Sequence, residues 1–349
     1  MPKLKKERML QLAVAGWLTA TAGIHAQTLE RTSPQLDELL SSPIEVEKVT
    51  TGKGFKWTEG PVWINSGYLL FAEIPGNAIW RWVPPLGSAP ELFMRPSGYA
   101  GTAFHGPEPG SNGMTLDVRS RLTIAGHARR NVWRLETMDP KGQFTVLADE
   151  YQGKNLNSPN DVVYSRSGDL YFTDPPYGLA TQSDKDPAKQ LPFNGVYRVR
   201  GATTKAPGAP PDPAALELLV KDLTRPNGIA FSPDEKILYV DNSEPKKIWM
   251  RYPVKADGTL GSGRLLFDAT SDHSPGSPDG MKVDRNGNIY SAGPGGVWIF
   301  SPSGKHLGTI KMPDRTSNVA WGEADGKTLY ITCSADVYRV RTKVGGVLP

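Results

Sequence analysis

Six segments of this chain share one pattern, an apolar–polar alternation with an aromatic near its centre. They are Ala78-Ile-Trp-Arg-Trp-Val83, Asn131-Val-Trp-Arg-Leu135, Gly195-Val-Tyr-Arg-Val199, Lys247-Ile-Trp-Met-Arg-Tyr252, Gly295-Gly-Val-Trp-Ile-Phe300 and Asp336-Val-Tyr-Arg-Val340. A period of two marks a half-buried strand. Each is preceded by a turn and a second apolar strand, as in Ser165-Arg-Ser-Gly-Asp169 before Leu170-Tyr-Phe-Thr-Asp174. Repeats of this length, each a four-stranded antiparallel unit, read as propeller blades. The expected fold is all-β, a six-bladed β-propeller with four-stranded antiparallel blades. A closed ring of this kind accommodates 349 residues as one domain.

Each repeat opens on a second shared phrase. The clearest copies are Thr58-Glu-Gly-Pro-Val-Trp63, Ser158-Pro-Asn-Asp-Val-Val163, Arg225-Pro-Asn-Gly-Ile-Ala230 and Ser277-Pro-Asp-Gly-Met-Lys282. Ser111-Asn-Gly-Met-Thr-Leu116 is close to them, and Ser317-Asn-Val-Ala-Trp321 is looser. In a propeller the innermost strand of every blade begins at the same mouth of the central channel. Glu59, Asn160, Asn227 and Asp279 therefore converge, offering two carboxylates and two amide oxygens. An oxygen-only set suits Ca²⁺ first, with Mg²⁺ or another divalent cation as alternatives, and lacks the nitrogen or sulfur that zinc prefers. The competing account is that Asn and Asp before Gly simply make turns. That account serves any one phrase but not four at equivalent positions, and it does not explain Glu59, a poor turn former.

The interval between Asn160 and Asn227 is the longest and holds two insertions, Leu179–Asn194 and Gly201–Ala215, expected as surface excursions. Ile44–Thr50 alternates as a strand and is expected to complete the last blade and close the ring. Residues 27–43 are expected as a lead-in, with one or two helical turns near Ser33–Ser42, and residues 44–349 as the single propeller domain.

The first 26 residues read as an export signal. Lys3, Lys5, Lys6 and Arg8 form a basic start, an apolar run follows from Met9, and Gly23-Ile-His-Ala26 is a small-residue exit before Gln27. The run is shorter than a membrane span needs. The expected location is periplasmic or secreted, with no membrane association once the signal is removed. Without these residues the formal charge falls from +4 to +1, so the apparent basicity gives no argument for nucleic-acid binding. The only cysteine, Cys333, cannot form an internal disulfide and is expected as a buried small hydrophobe.

These phrases together resemble the senescence-marker-protein-30/gluconolactonase/luciferin-regenerating family, in its bacterial gluconolactonase branch. The residues that carry the resemblance are Glu59-Gly-Pro-Val-Trp63, Asn160-Asp161, Pro226-Asn-Gly-Ile-Ala230, Pro278-Asp-Gly-Met281 and Phe172-Thr-Asp-Pro-Pro-Tyr-Gly178. The resemblance implies one divalent metal held at Glu59, Asn227 and Asp279, with Asn160 at the same centre. It implies hydrolysis of a small-molecule sugar lactone and a general-base role for Asp279. Paraoxonase-type propellers carry an Asn after that Asp, where this chain has Gly280, which weighs against lipophilic lactones. Further expectations attach to Asn112, His127, Asp174 and Tyr177 as substrate contacts, His127 as a hydrogen-bonding or acid/base group that reaches the channel; a structural histidine at 127 and loop shaping at Asp174 and Tyr177 are the alternatives. The competing functions are hydrolysis of phosphoesters or other lactones, and a non-enzymatic Ca²⁺-binding scaffold. No Gly-x-Ser-x-Gly elbow supports a serine hydrolase. Nothing in the chain indicates its oligomeric state.

Overall fold

The structure is a computed structural model and describes residues 29–50 and 53–349; the expected signal lies outside the described residues. Six antiparallel sheets surround one axis. From the innermost strand outward, blade 1 consists of Thr58–Ile64, Tyr68–Glu73, Ala78–Trp82 and Glu91–Met94. Blade 2 is Met114–Leu116, Leu122–Gly126, Asn131–Leu135 and Phe144–Ala148. Blade 3 is Val162–Tyr164, Leu170–Asp174, Gly195–Val199 and Leu216–Val220. Blade 4 is Pro226–Phe231, Ile237–Asn242, Ile248–Pro253 and Arg264–Asp268. Blade 5 is Met281–Val283, Ile289–Gly293, Gly296–Phe300 and His306–Lys311. Blade 6 has Thr316–Gly322, Thr328–Cys333 and Asp336–Arg341, and its outer strand is Val46–Lys48 from the other end of the chain.

The innermost strands touch in a closed cycle, each against the next and blade 6 against blade 1. Val46 pairs with Val340 and Lys48 with Tyr338 in antiparallel register, so the ring is closed by main-chain hydrogen bonds as expected. The segment expected as a lead-in does more than lead in. Leu29–Arg31 adds a fifth strand to blade 5, and a single short helix, Pro34–Glu38, starts at the Ser33 cap. Its Leu36, with Leu39 and Leu40 just beyond, is buried between blades 5 and 6.

The core is not one mass but six, one in each gap between neighbouring blades. The strand-centre aromatics fill these gaps: Trp133, Tyr197, Trp249 and Trp298 are buried. Trp249 stacks on Trp298 of the next blade with centroids 5.7 Å apart, and Trp63 on Tyr330 at 5.5 Å. Each such pair adds about 1 kcal/mol beyond its burial. Cys333 is buried as expected.

Loops from second to third strands lie at the mouth where the inner strands begin, and loops from third to fourth strands at the far end. Leu179–Asn194 therefore sits at the mouth, tied by Asn194 Nδ2 to Asp184 (2.9 Å) and to the Thr224 carbonyl (2.7 Å). Gly201–Ala215 braces the far end, where the buried Arg134 donates to the Ala202 carbonyl at 2.6 Å. Neither is wholly a surface excursion, since Leu179, Leu191 and Ala202 are buried.

Candidate active site and metal centre

The mouth opens into a cleft of about 440 Å³. Glu59, Asn112, Asn160, Asn227 and Asp279 all lie on its wall, together with Tyr177. The local backbone explains how one residue per blade reaches the axis. In blades 1, 4 and 6 the innermost strand breaks register at the shared phrase, between Glu59 and Val62, Pro226 and Ile229, and Thr316 and Asn318. An irregularity of this kind re-aims a side chain. The glycine of the phrase keeps the strands close. A Cβ at Gly228 would lie 2.3 Å from the Asp279 carbonyl oxygen and 2.6 Å from Asp241 Oδ2. At Gly60, with φ of +50°, it would lie 2.2 Å from the Asn112 carbonyl oxygen.

The hydrogen bonds leave the relevant oxygens free. Glu59 Oε2 accepts from the Gly60 N–H (2.5 Å) and from Asn318 Nδ2 (3.0 Å), while Oε1 has no partner among the described residues. Asn227 Nδ2 donates to Ser243 Oγ at 3.1 Å, and Ser243 in turn donates to the Pro278 carbonyl at 2.8 Å. That chain fixes the amide, and Asn227 Oδ1 is presented, buried and unpartnered. Asn112 Oδ1 is likewise buried and unpartnered. Asp279 accepts only the Gly280 N–H, at 3.1 Å, and is partly exposed to the cleft.

Two further buried acids stand behind this set. Asp161 occupies the place that is glycine in four of the other five phrases and Val319 in the fifth, and Asp241 accepts the Gly228 N–H at 3.0 Å. Asp161 Oδ2 and Asp241 Oδ2 are both without hydrogen-bond partners. Four carboxylates thus share the axis. Among the described residues the one ion-pair partner any of them has is Lys282, whose Nζ lies 3.9 Å from Asp161 Oδ2.

Desolvation and mutual repulsion favour the neutral forms. Burial, then the Asp161 charge, pushes Glu59 up to about 8. Asp279 is held well above the ordinary carboxylate range by burial, then by Glu59, Asp241 and Asp161. Burial raises Asp241 in the same way.

Four carboxylates that share a single ammonium, beside a fixed, unpartnered amide oxygen, form a donor set that fits a hard divalent cation. Among the described residues no three His, Cys, Asp or Glu side chains cluster as a metal site; the fit depends on the amides.

Two of the four expected substrate contacts, Asp174 and His127, are set back from the cleft. Asp174 is absent from the cleft wall. It is fully buried, and its carboxylate accepts the Asn157 N–H (2.8 Å) and the Ser158 N–H (2.7 Å), fixing the turn that carries Asn160. His127 is also fully buried and lies behind the wall, bonded through Nε2 to Glu108 at 2.7 Å. Glu108 is what the cleft sees, and it shares the wall with Trp57, Ser243, Lys247 and Arg315, none of them singled out in the sequence. Ser243 follows the end of a second strand, the same place as His127 in blade 2. Aligning the repeats on second-strand ends would have marked this second ring around the mouth. Glu108 and Arg315 sit in connections of unequal length, where no repeat alignment exists; Lys247 opens the third-strand segment of blade 4, immediately before Ile248.

The family model for the SMP-30/gluconolactonase/LRE-like region matches residues 57–335. The chain belongs to that family. It is 40% identical to a gluconolactonase of Zymomonas mobilis over 90% of this chain and 86% of that one. Among solved structures, a gluconolactonase of Xanthomonas campestris superposes with a TM-score of 0.73 at 28% identity, covering 93% of this chain and 99% of its own. Regucalcin of Agrobacterium tumefaciens, described as a calcium-binding protein, shares the fold at 19% identity with a TM-score of 0.62, over 86% of this chain and 96% of its own. The span matched by the SMP-30/gluconolactonase/LRE-like model begins two residues before Glu59 and contains every residue of the axial set.

Proposed function

We propose that this protein hydrolyses a sugar lactone, glucono-1,5-lactone being the leading substrate, with a divalent cation, Ca²⁺ first, held by Glu59, Asn160, Asn227 and Asp279. The observation that carries this is the axial set itself: four buried carboxylates with one ammonium, Lys282, beside them and a presented amide oxygen, in a chain 40% identical to a gluconolactonase. When bound, such a cation supplies Lewis-acid polarisation of the lactone carbonyl and stabilises the tetrahedral oxyanion.

The chain's own residues do the rest. Asp279, the partly exposed carboxylate, accepts the proton of the attacking water. Asn112 Oδ1, buried and unpartnered at the cleft wall, accepts a hydrogen bond from a substrate hydroxyl. Tyr177 and Ser243 border the same space. Collapse of the tetrahedral species breaks the ring C–O bond and leaves the free hydroxy acid. The N-terminal basic and apolar run supports export of the mature chain.

A pH-indicator assay of the purified protein on glucono-1,5-lactone tests this against the spontaneous rate. Turnover above that rate, lost on chelation and regained with Ca²⁺, is expected. Asp279→Asn should lower kcat by about 10²-fold or more with the β-sheet circular dichroism unchanged. No turnover of any aldonolactone by the metal-loaded protein would refute the proposal.

A further inference from the structure

We infer that Glu108 and His127 form a proton-holding couple that protonates the departing ring oxygen; this rests on the lactone-hydrolase proposal above. The His127 ring is bonded at both nitrogens. Nδ1 lies 3.2 Å from the Pro159 carbonyl oxygen and Nε2 lies 2.7 Å from Glu108 Oε2. A carbonyl oxygen only accepts, so Nδ1 carries a hydrogen. In a neutral ring Nε2 is then bare and faces a carboxylate oxygen, lone pair against lone pair. The contact is a hydrogen bond only if a proton lies between them. The couple is either imidazolium with carboxylate or imidazole with carboxylic acid, and it holds one transferable proton in both forms.

The surroundings hold that proton in place and open it to one side. His127 is fully buried, whereas the Glu108 side chain is 22% exposed and lies on the cleft wall. Glu108 Oε1 accepts from Gln182 Nε2 at 2.8 Å, so the mouth insertion pins the carboxyl. Gly178 packs on the imidazole so closely that a Cβ there would come within 2.8 Å of His127 Cδ2.

Few charges compete for the pair. On its own turn, Arg129 lies over the Trp133 ring and Arg130 donates to the Leu156 carbonyl. From blade 3, Asp174 is engaged by two backbone N–H groups, and in the insertion Asp186 is engaged by Thr181 and Ala188. His105, on the loop that carries Glu108, is exposed. Among the described residues His127 is the only ion-pair partner of Glu108.

Placement matches the chemistry. Asp279 opens blade 5, and His127 directly follows the second strand of blade 2; in a ring of six these blades stand opposite each other. The base on one side takes a proton from water as the new C–O bond forms. As the tetrahedral species collapses, its oxyanion electron pair restores the carbonyl and the ring C–O bond breaks. The bonding pair goes to the ring oxygen, which takes the proton of the couple. The proton held by Asp279 then returns through cleft water to recharge the couple, and lactone plus water becomes hydroxy acid.

The test joins kinetics to nitrogen-15 NMR of histidine-labelled protein. Glu108→Gln keeps the shape and the hydrogen bond to His127 but cannot donate an acidic proton. It should lower kcat on glucono-1,5-lactone by about 10²-fold, change KM by no more than a few-fold and abolish the alkaline limb of the kcat–pH profile. His127→Gln should do the same. In the wild type, the His127 resonance should report a strongly hydrogen-bonded proton at Nε2, lost in Glu108→Gln. Unchanged kcat, or a fall in kcat and Tm together with an unaltered pH profile, overturns the inference in favour of a clamp on the insertion. A wild type inactive on every lactone sinks the functional proposal instead, while the NMR signal still decides whether the couple holds its proton.

Discussion

Lys282 shows how much one side chain sets at this axis. Its ammonium lies 3.9 Å from Asp161 Oδ2 and 3.5 Å from Asn318 Oδ1. Asn318 Oδ1 also accepts the Val319 N–H at 2.8 Å, so the amide nitrogen is turned to Glu59 Oε2. Lys282 thus balances one acid and, through Asn318, orients another. A fixed cation on the axis also opposes a second one. Lys282→Met should therefore bind Ca²⁺ on the order of tenfold more tightly, the scale of one unit charge across a partly buried site, while its cation-free form melts lower. Calorimetric titration and thermal melts in chelator check both arms; unchanged affinity would remove Lys282 from the electrostatics. The sequence displayed Lys282 and Asp161 inside the shared phrases, but their roles were not legible there. Lys282 lies inside the regular strand Met281–Val283, and its partners Asp161 and Asn318 come from blades 3 and 6, a meeting that the local strand period does not encode.

At the scale of the element, the repeats were legible because each strand carries its own period and the closing strand carries it too. Val46–Lys48 alternates and pairs where expected. Leu29–Arg31 was not legible, because three residues show no period and its partner His306–Lys311 lies at the other end of the chain. The axial residues were legible for a related reason: the phrase marks where an inner strand starts, and six starts define one mouth. Glu108 and Arg315 belong to connections, whose course is set by tertiary contact rather than local pattern. The same phrase gives a mechanical prediction. The inner strand of blade 4 approaches blade 5 through Gly228, where a methyl group would meet the Asp279 carbonyl oxygen at 2.3 Å, a backbone atom that cannot swing aside. Gly228→Ala should cost about 1–3 kcal/mol, the range for overpacking a tight site, and should weaken cation affinity by displacing Asp279. Denaturant titration and Ca²⁺ binding measure the two effects; a substitution silent in both would mean the inner strands are less tightly set than they stand.

For the whole molecule, the axial charges couple stability to pH and to the cation. Glu59 stands at about 8 in the folded chain against an ordinary 4.5, raised by burial and then by Asp161. Between those values the folded state binds more protons than the unfolded one, so unfolding free energy falls as pH rises through the window. Asp279 and Asp241, raised mainly by burial, act with the same sign. Asp325, held down to about 2 chiefly by its hydrogen bond from Arg341, works in the opposite sense but only below about pH 4, outside the window. The cation-free protein should therefore lose stability steadily from pH 5 to pH 8. A bound divalent cation replaces the missing protons as the source of positive charge, so the loss should flatten, and the gain at pH 8 should approach about 2.7 kcal/mol at a hundredfold excess over Kd. Urea unfolding at pH 5, 6.5 and 8, in chelator and in Ca²⁺, reads the difference directly. A chelated protein whose stability is flat or rises across that range would mean that the four acids do not repel one another as their burial at one axis requires.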